Sequence, residues 1–359
     1  MAFDPRPGRA RATVEGMLSL AGRVDDRALA GEESGCAVVA VSPPGEHPEA
    51  APVIHSSPAG TLVWAGEMLP PESWSSAGER CSSQRLAAVV LDRLERQGPE
   101  VLGDIDGSFC GAWFSYDSST WTIFNDRWGL IPLFWWADGA RLIISPKARL
   151  TWRSSGSALQ IDGDGVADLL RTQNMLDDHT LIENVHWLMP ATCLRWDGSG
   201  ASTRQYWDYQ HRPRQTGSYD EVIDSFVDVS RSTMARIIDT RAPVMQGLSG
   251  GLDSRMFLGV CQELGRMPAC YTSGLAWSED VRFGHKLARA AGARHETLLL
   301  DAERIPDQVQ ETIIETDGLH GAAHLVASAP IASYLAHHAG AVLLEGYLHG
   351  GLGGSKVPA

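Results

Sequence analysis

The chain has 359 residues, enough for two domains that each bury a core. Its hydrophobic and charged fractions, 43% and 21%, are those of an ordinary soluble globular protein. A formal net charge of −14 with no Lys/Arg cluster argues against a nucleic-acid partner and against an anionic membrane surface.

No apolar run is long enough to span a bilayer. The start, Met1 to Pro5, lacks the apolar core of a signal peptide, so a cytoplasmic location is expected. The six cysteines (36, 81, 110, 193, 261 and 270) form no C-x-x-C pair and read as free, buried thiols. In chain order, strands are predicted at 36–41 and 62–65, followed by a helix at 82–97 with Leu86, Val89, Val90 and Leu94 inward. Further strands follow at 109–116, 121–124, 133–136 and 141–144. This half is strand-rich α+β. Polar, Gly-rich stretches at 154–165 and 197–217 flank a short helix (166–173) and a strand (191–196), which places a domain boundary near 209. Next comes an amphipathic helix, 219–238, with Val222, Phe226, Val229, Thr233 and Ile237 on one face.

The chain then alternates. Strands at 244–248, 269–273, 296–300 and 341–344 are separated by helices at 254–264, 280–291, 307–316 and 326–338, the pattern of a parallel sheet with right-handed crossovers. Where the first of these strands meets its helix the sequence reads Gly247-Leu248-Ser249-Gly250-Gly251-Leu252-Asp253-Ser254. A Gly-rich loop at a strand's carboxyl end and a helix's amino end is where open parallel sheets bind ligands. Glycines let the backbone approach an anion, and the helix dipole and free N–H groups favour it. The spacing is not that of a Walker loop.

This stretch resembles the S-G-G-x-D-S pyrophosphate loop of the ATP pyrophosphatase superfamily. Upstream, Gly107-Ser108-Phe109 followed by Asp126-Arg127-Trp128-Gly129-Leu130-Ile131-Pro132-Leu133 resembles the hairpin region of a class II glutamine amidotransferase domain. The combination is similar to asparagine synthetases and to their relatives, the β-lactam synthetases and lasso-peptide cyclases. The resemblance implies an amidohydrolase-like layered α+β sandwich followed by an α/β adenine nucleotide α-hydrolase-like domain. It divides the chain into a degenerate glutaminase-like part, 1–208, and an ATP pyrophosphatase part, 209–359, C-terminally truncated against the family pattern. By the same resemblance Leu248, Ser249, Gly250, Gly251, Leu252, Asp253, Ser254, Ser273, Glu345 and Gly346 would bind ATP. Asp253 would hold Mg²⁺ and count as the catalytic residue. The implied reaction is ATP-dependent activation of a small-molecule or peptide carboxylate as an acyl-adenylate, attacked by ammonia or by an amine of the substrate. A homodimer is left open.

Several positions depart from the family pattern. The family's amino-terminal cysteine is replaced by Ala2, its Asn-Gly-Glu by Ala65-Gly66-Glu67, and its Ser-Asp-x-Glu by Cys81-Ser82-Ser83-Gln84; no Arg-Gly-Pro-Asp segment is present. Cys36 and Cys110 read as core residues, not displaced nucleophiles. The Asp-Glu pair of the family's second Gly-rich signature becomes Gly350-Gly351, and His349 beside it reads as a loop histidine. Lys356 does not match the family's late lysine. Glu279-Asp280 fits either an acyl-substrate position or a helix amino-terminal charge pair. His320 and His324 suit a metal pair by spacing, but no third ligand is apparent, and Gly318 and Gly321 favour a loop. The rival reading is therefore a truncated, catalytically inactive relative that binds nucleotide or a partner. With the glutaminase residues replaced, the purified protein should release no glutamate from glutamine in a coupled assay; measurable release would overturn this reading.

Overall fold

The computed structural model describes residues 1–3, 9–20, 28–31, 36–39, 53–74, 83–210, 217–239, 243–321, 329–338 and 341–344. The chain divides into two compact units, Met1–Gln210 with Ile313–Gly321, and His211–Thr312 with Ala322–Ala359. No helix among the described residues is long and apolar enough to cross a membrane.

The first unit contains β1 (Ala2–Phe3), α1 (Arg9–Leu20), β2 (Ala28–Gly31), β3 (Cys36–Val39), β4 (Val53–Ser56), β5 (Gly60–Leu69) and α2 (Ser83–Gln97). It continues through β6 (Asp106–Ser115), β7 (Thr120–Asn125), β8 (Phe134–Ala137), β9 (Leu142–Ser145), α3 (Ala148–Ser155), α4 (Gly163–Thr172), β10 (His186–Trp187), β11 (Thr192–Trp196) and β12 (Ala201–Gln205). Two six-stranded sheets result, ordered β10-β8-β9-β1-β3-β2 and β12-β11-β7-β6-β5-β4. Side-chain alternation assigns the layers. Leu62, Trp64, Phe124 and Cys193 of the second sheet pack with Leu86, Val90 and Leu94 of α2. On the opposite face Val63, Ala112, Ile123 and Leu194 meet Leu142 and Ile144 of the first sheet. The outer side of that sheet, with Ala2, Phe134, Trp136 and Ile143, packs with Ala10, Val14 and Met17 of α1 and Ala148 of α3. This is a helix–sheet–sheet–helix sandwich, as expected. Where a sheet is covered on both faces its strands read as apolar runs, as β8 and β9 do.

The residues that carry the amidotransferase resemblance hold this sandwich together. Gly66 and Gly107 adopt φ of +93° and +118°, and an added Cβ would lie 2.1 Å from the Ser108 carbonyl and 2.2 Å from the Glu67 carbonyl respectively. Only glycine permits β5 and β6 to approach so closely there. The buried Asp126 carboxylate accepts from the backbone N–H of Phe109 (3.2 Å), Trp128 (2.9 Å) and Leu130 (3.1 Å). Arg127 reaches Asp106 at 2.7 Å and the Gly103 carbonyl at 3.0 Å.

The second unit is built on α5 (Tyr219–Ile238), β13 (Val244–Gly247), α6 (Leu252–Glu263), β14 (Ala269–Gly274), α7 (Glu279–Ala291) and β15 (His295–Leu299). After these come α8 (Ile305–Glu315), α9 (Ala329–Ala336) and β16 (Val342–Leu344). The four strands are ordered β15-β14-β13-β16, with every pairing parallel, as the alternation predicts.

Three expectations are corrected. Helix α6 begins at Leu252, not at 254, so Asp253 lies in its first turn. Helix α4 begins inside the stretch read as linker, because the Asp162 carboxylate caps it by accepting from Gly165 N–H at 2.8 Å. The predicted inward face of α5 is largely exposed, with Val222 at 40% and Val229 at 61%; only the carboxyl-terminal Met234 and Ile238 are buried, against Phe257, Val260 and Cys261 of α6. Amphipathic spacing shows that a face exists, not which turns of it are covered.

Asp126→Ala would strand three backbone donors. Since a hydrogen bond to a charged group contributes about 1.5–3 kcal/mol, a loss of at least about 3 kcal/mol is expected. Urea unfolding followed by circular dichroism checks this, and an unchanged midpoint would refute the role given to Asp126.

Candidate functional site

The loop expected to bind an anion lies at the carboxyl edge of the central strand β13. Its entry is fixed by backbone and side chain together. Leu248 N–H donates to the Tyr271 carbonyl at 2.7 Å, continuing the pairing of β13 with β14 by one more residue. The Leu248 carbonyl accepts from the Thr272 hydroxyl, which also meets His295 Nε2 at 2.9 Å. Burial, and then the neighbouring His285 ring, holds the His295 imidazole below the usual histidine range. Gly284 of α7 sits over this point: an added Cβ would lie 2.2 Å from Thr272 Oγ1 and 2.7 Å from the Leu248 carbonyl.

Beyond Leu248 the chain turns on a ring of serines. The Ser254 hydroxyl donates to the carbonyls of Ser249 and Gly251, both at 3.2 Å, and accepts from Ser249 N–H at 3.3 Å. Ser249 Oγ accepts from Gly251 N–H at 3.1 Å. Beneath them Gln246, fully buried, donates from Nε2 to the Ser254 carbonyl at 2.6 Å. The glycines have separate reasons. An added Cβ at Gly250 would press on the Phe283 side chain, 3.2 Å from its Cβ and 3.3 Å from its ring. Gly251 is the residue preceding α6 and brings no side chain to cap it.

The loop is open on one side. Gly251 is exposed, Leu252 is 74% exposed, and Ser249, Gly250 and Asp253 are half-buried. Two carboxylates come near this turn from the sequence: Asp253 in the first turn of α6, and Asp280 in the first turn of α7, whose Oδ1 accepts from Gly250 N–H at 3.4 Å. Both are hard oxygen donors of the kind Mg²⁺ requires. Among the described residues no group of three or more His, Cys, Asp or Glu side chains is placed to hold a metal by itself. Ser273 lies near the carboxyl end of the adjacent β14, half-buried. Glu345 and Gly346, with 347–359, and so Gly350-Gly351, His349 and Lys356, lie outside the described residues.

Glu279 pairs with Arg282 at 3.1 Å, and the Ser278 side chain caps α7, so the acidic pair has a helix-start role in addition to Asp280's contact with the loop. His320 belongs to the first unit, where Nδ1 meets Asn174 Oδ1 at 3.2 Å; His324 lies outside the described residues. Sequence reasoning missed Gln246, Thr272, Gly284 and His295. A glutamine inside an apolar strand run was the one signal available for any of them.

The glutaminase-like positions carry no nucleophile. Ala2 is buried between Ala37 and Ile143 in the first sheet, and the amino group of Met1 donates to the Ile144 carbonyl at 2.7 Å. Burial, then the Asp126 carboxylate, pushes the Cys110 thiol up to about 12, leaving it protonated and unreactive. The side chain of Cys36 and residues 81–82 lie outside the described residues.

Residues 49–207 match the glutamine amidotransferase domain family, and residues 228–347 match the asparagine synthase family. Among curated proteins the chain is similar to the glutamine-hydrolyzing asparagine synthetase 3 of Bacillus subtilis, at 18% identity over 280 residues. That match covers 72% of this chain and 45% of the relative, so the chain spans about half the relative's length. Among solved structures it matches the glutamine phosphoribosylpyrophosphate amidotransferase of B. subtilis complexed with ADP and GMP. The TM-score is 0.31 at 13% identity, covering 77% of this chain and 55% of that one. A structure of the allosteric regulatory enzyme of purine biosynthesis matches at the same TM-score and identity, covering 69% and 63%.

Gly284→Ala should push Thr272 and Leu248 apart and shift the Ser249–Ser254 turn, while the sheet stays folded by circular dichroism. Backbone amide chemical shifts of residues 248 to 254 read this, and wild-type shifts would show that the α7 contact does not set the loop.

Proposed function

The chain belongs to the asparagine synthetase family, and on that premise we propose that it is an ATP-dependent carbon–nitrogen ligase without a working glutaminase. The observation that carries the reading is the loop between β13 and α6: open to solvent, glycine at two successive positions, and followed by a helix start without a side-chain cap. Backbone amides of Ser249 to Ser254 would cradle the pyrophosphate portion of ATP, aided by the α6 dipole and the two serine hydroxyls. Leu248 and Ser273, at the edge of the central strands, would flank the nucleoside.

Asp253 would hold Mg²⁺ together with phosphate oxygens and water, which the ion retains readily. Bound there, Mg²⁺ would neutralise charge on the phosphates. A carboxylate oxygen of the substrate would attack the α-phosphorus, the bond to pyrophosphate would break, and pyrophosphate would leave. Ammonia or a substrate amine would then attack the acyl carbon of the resulting acyl-adenylate, losing a proton as AMP departs. The protein's part is positioning and electrostatic stabilisation. Asp280, on Gly250 N–H, would turn from that amide once phosphate oxygens occupy it.

The second reading, nucleotide binding without turnover, is favoured by the sparse metal ligands: among the described residues no group of three or more His, Cys, Asp or Glu side chains is placed to hold the ion that turnover needs. The two readings part in one experiment. Carboxylate-dependent exchange of labelled pyrophosphate into ATP, over a panel including aspartate, should be observed for the ligase; binding of ATP without exchange selects the second reading. Asp253→Asn should weaken Mg²⁺–ATP binding at least tenfold by calorimetry, and unchanged affinity would place the metal elsewhere.

A further inference from the structure

A cavity of about 490 Å³ opens on the first unit, lined by residues of that unit alone. Strand register explains it. Leu62, Trp113, Thr122, Arg195 and Ser202 pair in succession across β5, β6, β7, β11 and β12, so their side chains stand in one row on one sheet face. Gly60, Ser115 and Thr120 form the next row outward; Cys193 and Arg204 lie in the row on the other side. This is the face that α2 covers. The helix ends at Gln97, and the chain turns away through Gly98 and Pro99, so the outer rows lose their apolar lid and form a polar concavity rimmed by those two residues.

Its lining is unlike the core beside it. The Trp113 ring supplies the apolar floor, continuous with the helix-covered cluster. Thr120 and Thr122 are 4% and 7% exposed, yet they sit where a sheet under a helix would hold apolar residues. The Thr120 hydroxyl donates to the Ser118 carbonyl at 3.0 Å. Among the described residues the hydroxyls of Ser115, Thr122 and Ser202 have no hydrogen-bond partner, and so remain available to a guest. Two guanidiniums stand over them. Arg204 is paired with Glu100 on the turn above, while Arg195 forms no ion pair among the described residues and only a 3.4 Å contact to Thr120 Oγ1. The remaining acid near Arg195 is the exposed Asp197, which its own Ser199 contacts hold. A guanidinium without an ion pair among the described residues, in the field of Asp197, thus stands at a hydroxyl-lined hollow in a protein whose formal net charge is −14. Cys193 at the base is inert, its thiol pushed up to about 12 by burial.

We propose that this cavity is a ligand site for a small hydroxylated oxyanion, a phosphorylated or carboxylated metabolite, with Arg195 as its charge anchor. A planar guanidinium takes two oxygens of a phosphate or carboxylate side by side. The row of hydroxyls takes the ligand's own hydroxyl groups, and the indole face takes its carbon skeleton. The pairing of Arg204 with Glu100 leaves Arg195 as the lining guanidinium without an ion pair among the described residues, suited to one anionic group.

The test uses the full chain with ¹³C-labelled threonine methyls, titrated with glycerol 3-phosphate, with malate and with neutral glycerol. Saturable shifts of the Thr120 and Thr122 methyls in the millimolar range are expected for at least one anion and not for glycerol; which anion acts sorts phosphate from carboxylate. Arg195 is exposed, so Arg195→Met should keep the rest of the spectrum while weakening binding at least tenfold. Glu100→Gln releases Arg204 and should tighten binding about threefold. Saturation by neither anion, equal saturation by glycerol, undiminished binding in Arg195→Met, or weaker binding in Glu100→Gln would each overturn the proposal.

Discussion

The second unit depends on the hydrogen bonding of one strand. β13 is flanked on both sides, by β14 and β16, and a strand so placed must satisfy its backbone groups along both edges until it leaves the sheet. Leu248 prolongs the pairing with β14, and Thr272 takes its carbonyl. The chain is therefore released at one defined point, facing the carboxyl edge, with Ser249 as the first residue free to turn. Gly284 lets α7 close over that point, bringing Asp280 to the loop. Loop direction, helix start and acid placement all follow from where β13 stops.

In the first unit the features that mark the family and the features that would perform glutamine hydrolysis are physically separate. Asp126, Gly66 and Gly107 keep the sandwich in shape through buried N–H contacts and close backbone approach. Ala2 and Ala65, which the resemblance sets at the nucleophile and oxyanion positions, are small apolar residues within the sheets. Packing and catalysis make demands on different side chains.

Much of this was legible in the sequence. The alternation of strands and helices indicated a parallel sheet in the second unit, though not its strand order, and the Ser-Gly-Gly turn marked the loop. The strand-rich α+β character of the first unit followed from its hairpins and from the amphipathic α2, and its layering was implied by the family resemblance. Boundaries were less legible where a cap overrode composition: Asp162 starts α4 inside a Gly-rich stretch, and α6 begins at Leu252.

The sequence by itself determined the alternation of strands and helices in the second unit, the main hairpin strands and α2 of the first, and the identity of the residues at the loop, because these rest on local spacing and on side-chain type. Helices α1 and α3 and the short strands β1, β2, β4, β10 and β12 were not legible in it. Only the tertiary structure decided which turns of α5 are covered and that Thr272, Gly284 and Asp280 converge on Leu248 and Gly250. The row Trp113, Thr122, Arg195 and Ser202 was likewise set by strand register alone. Those groups are distant in the chain, and the backbone pairing that brings them together leaves no periodic trace in the order of residues.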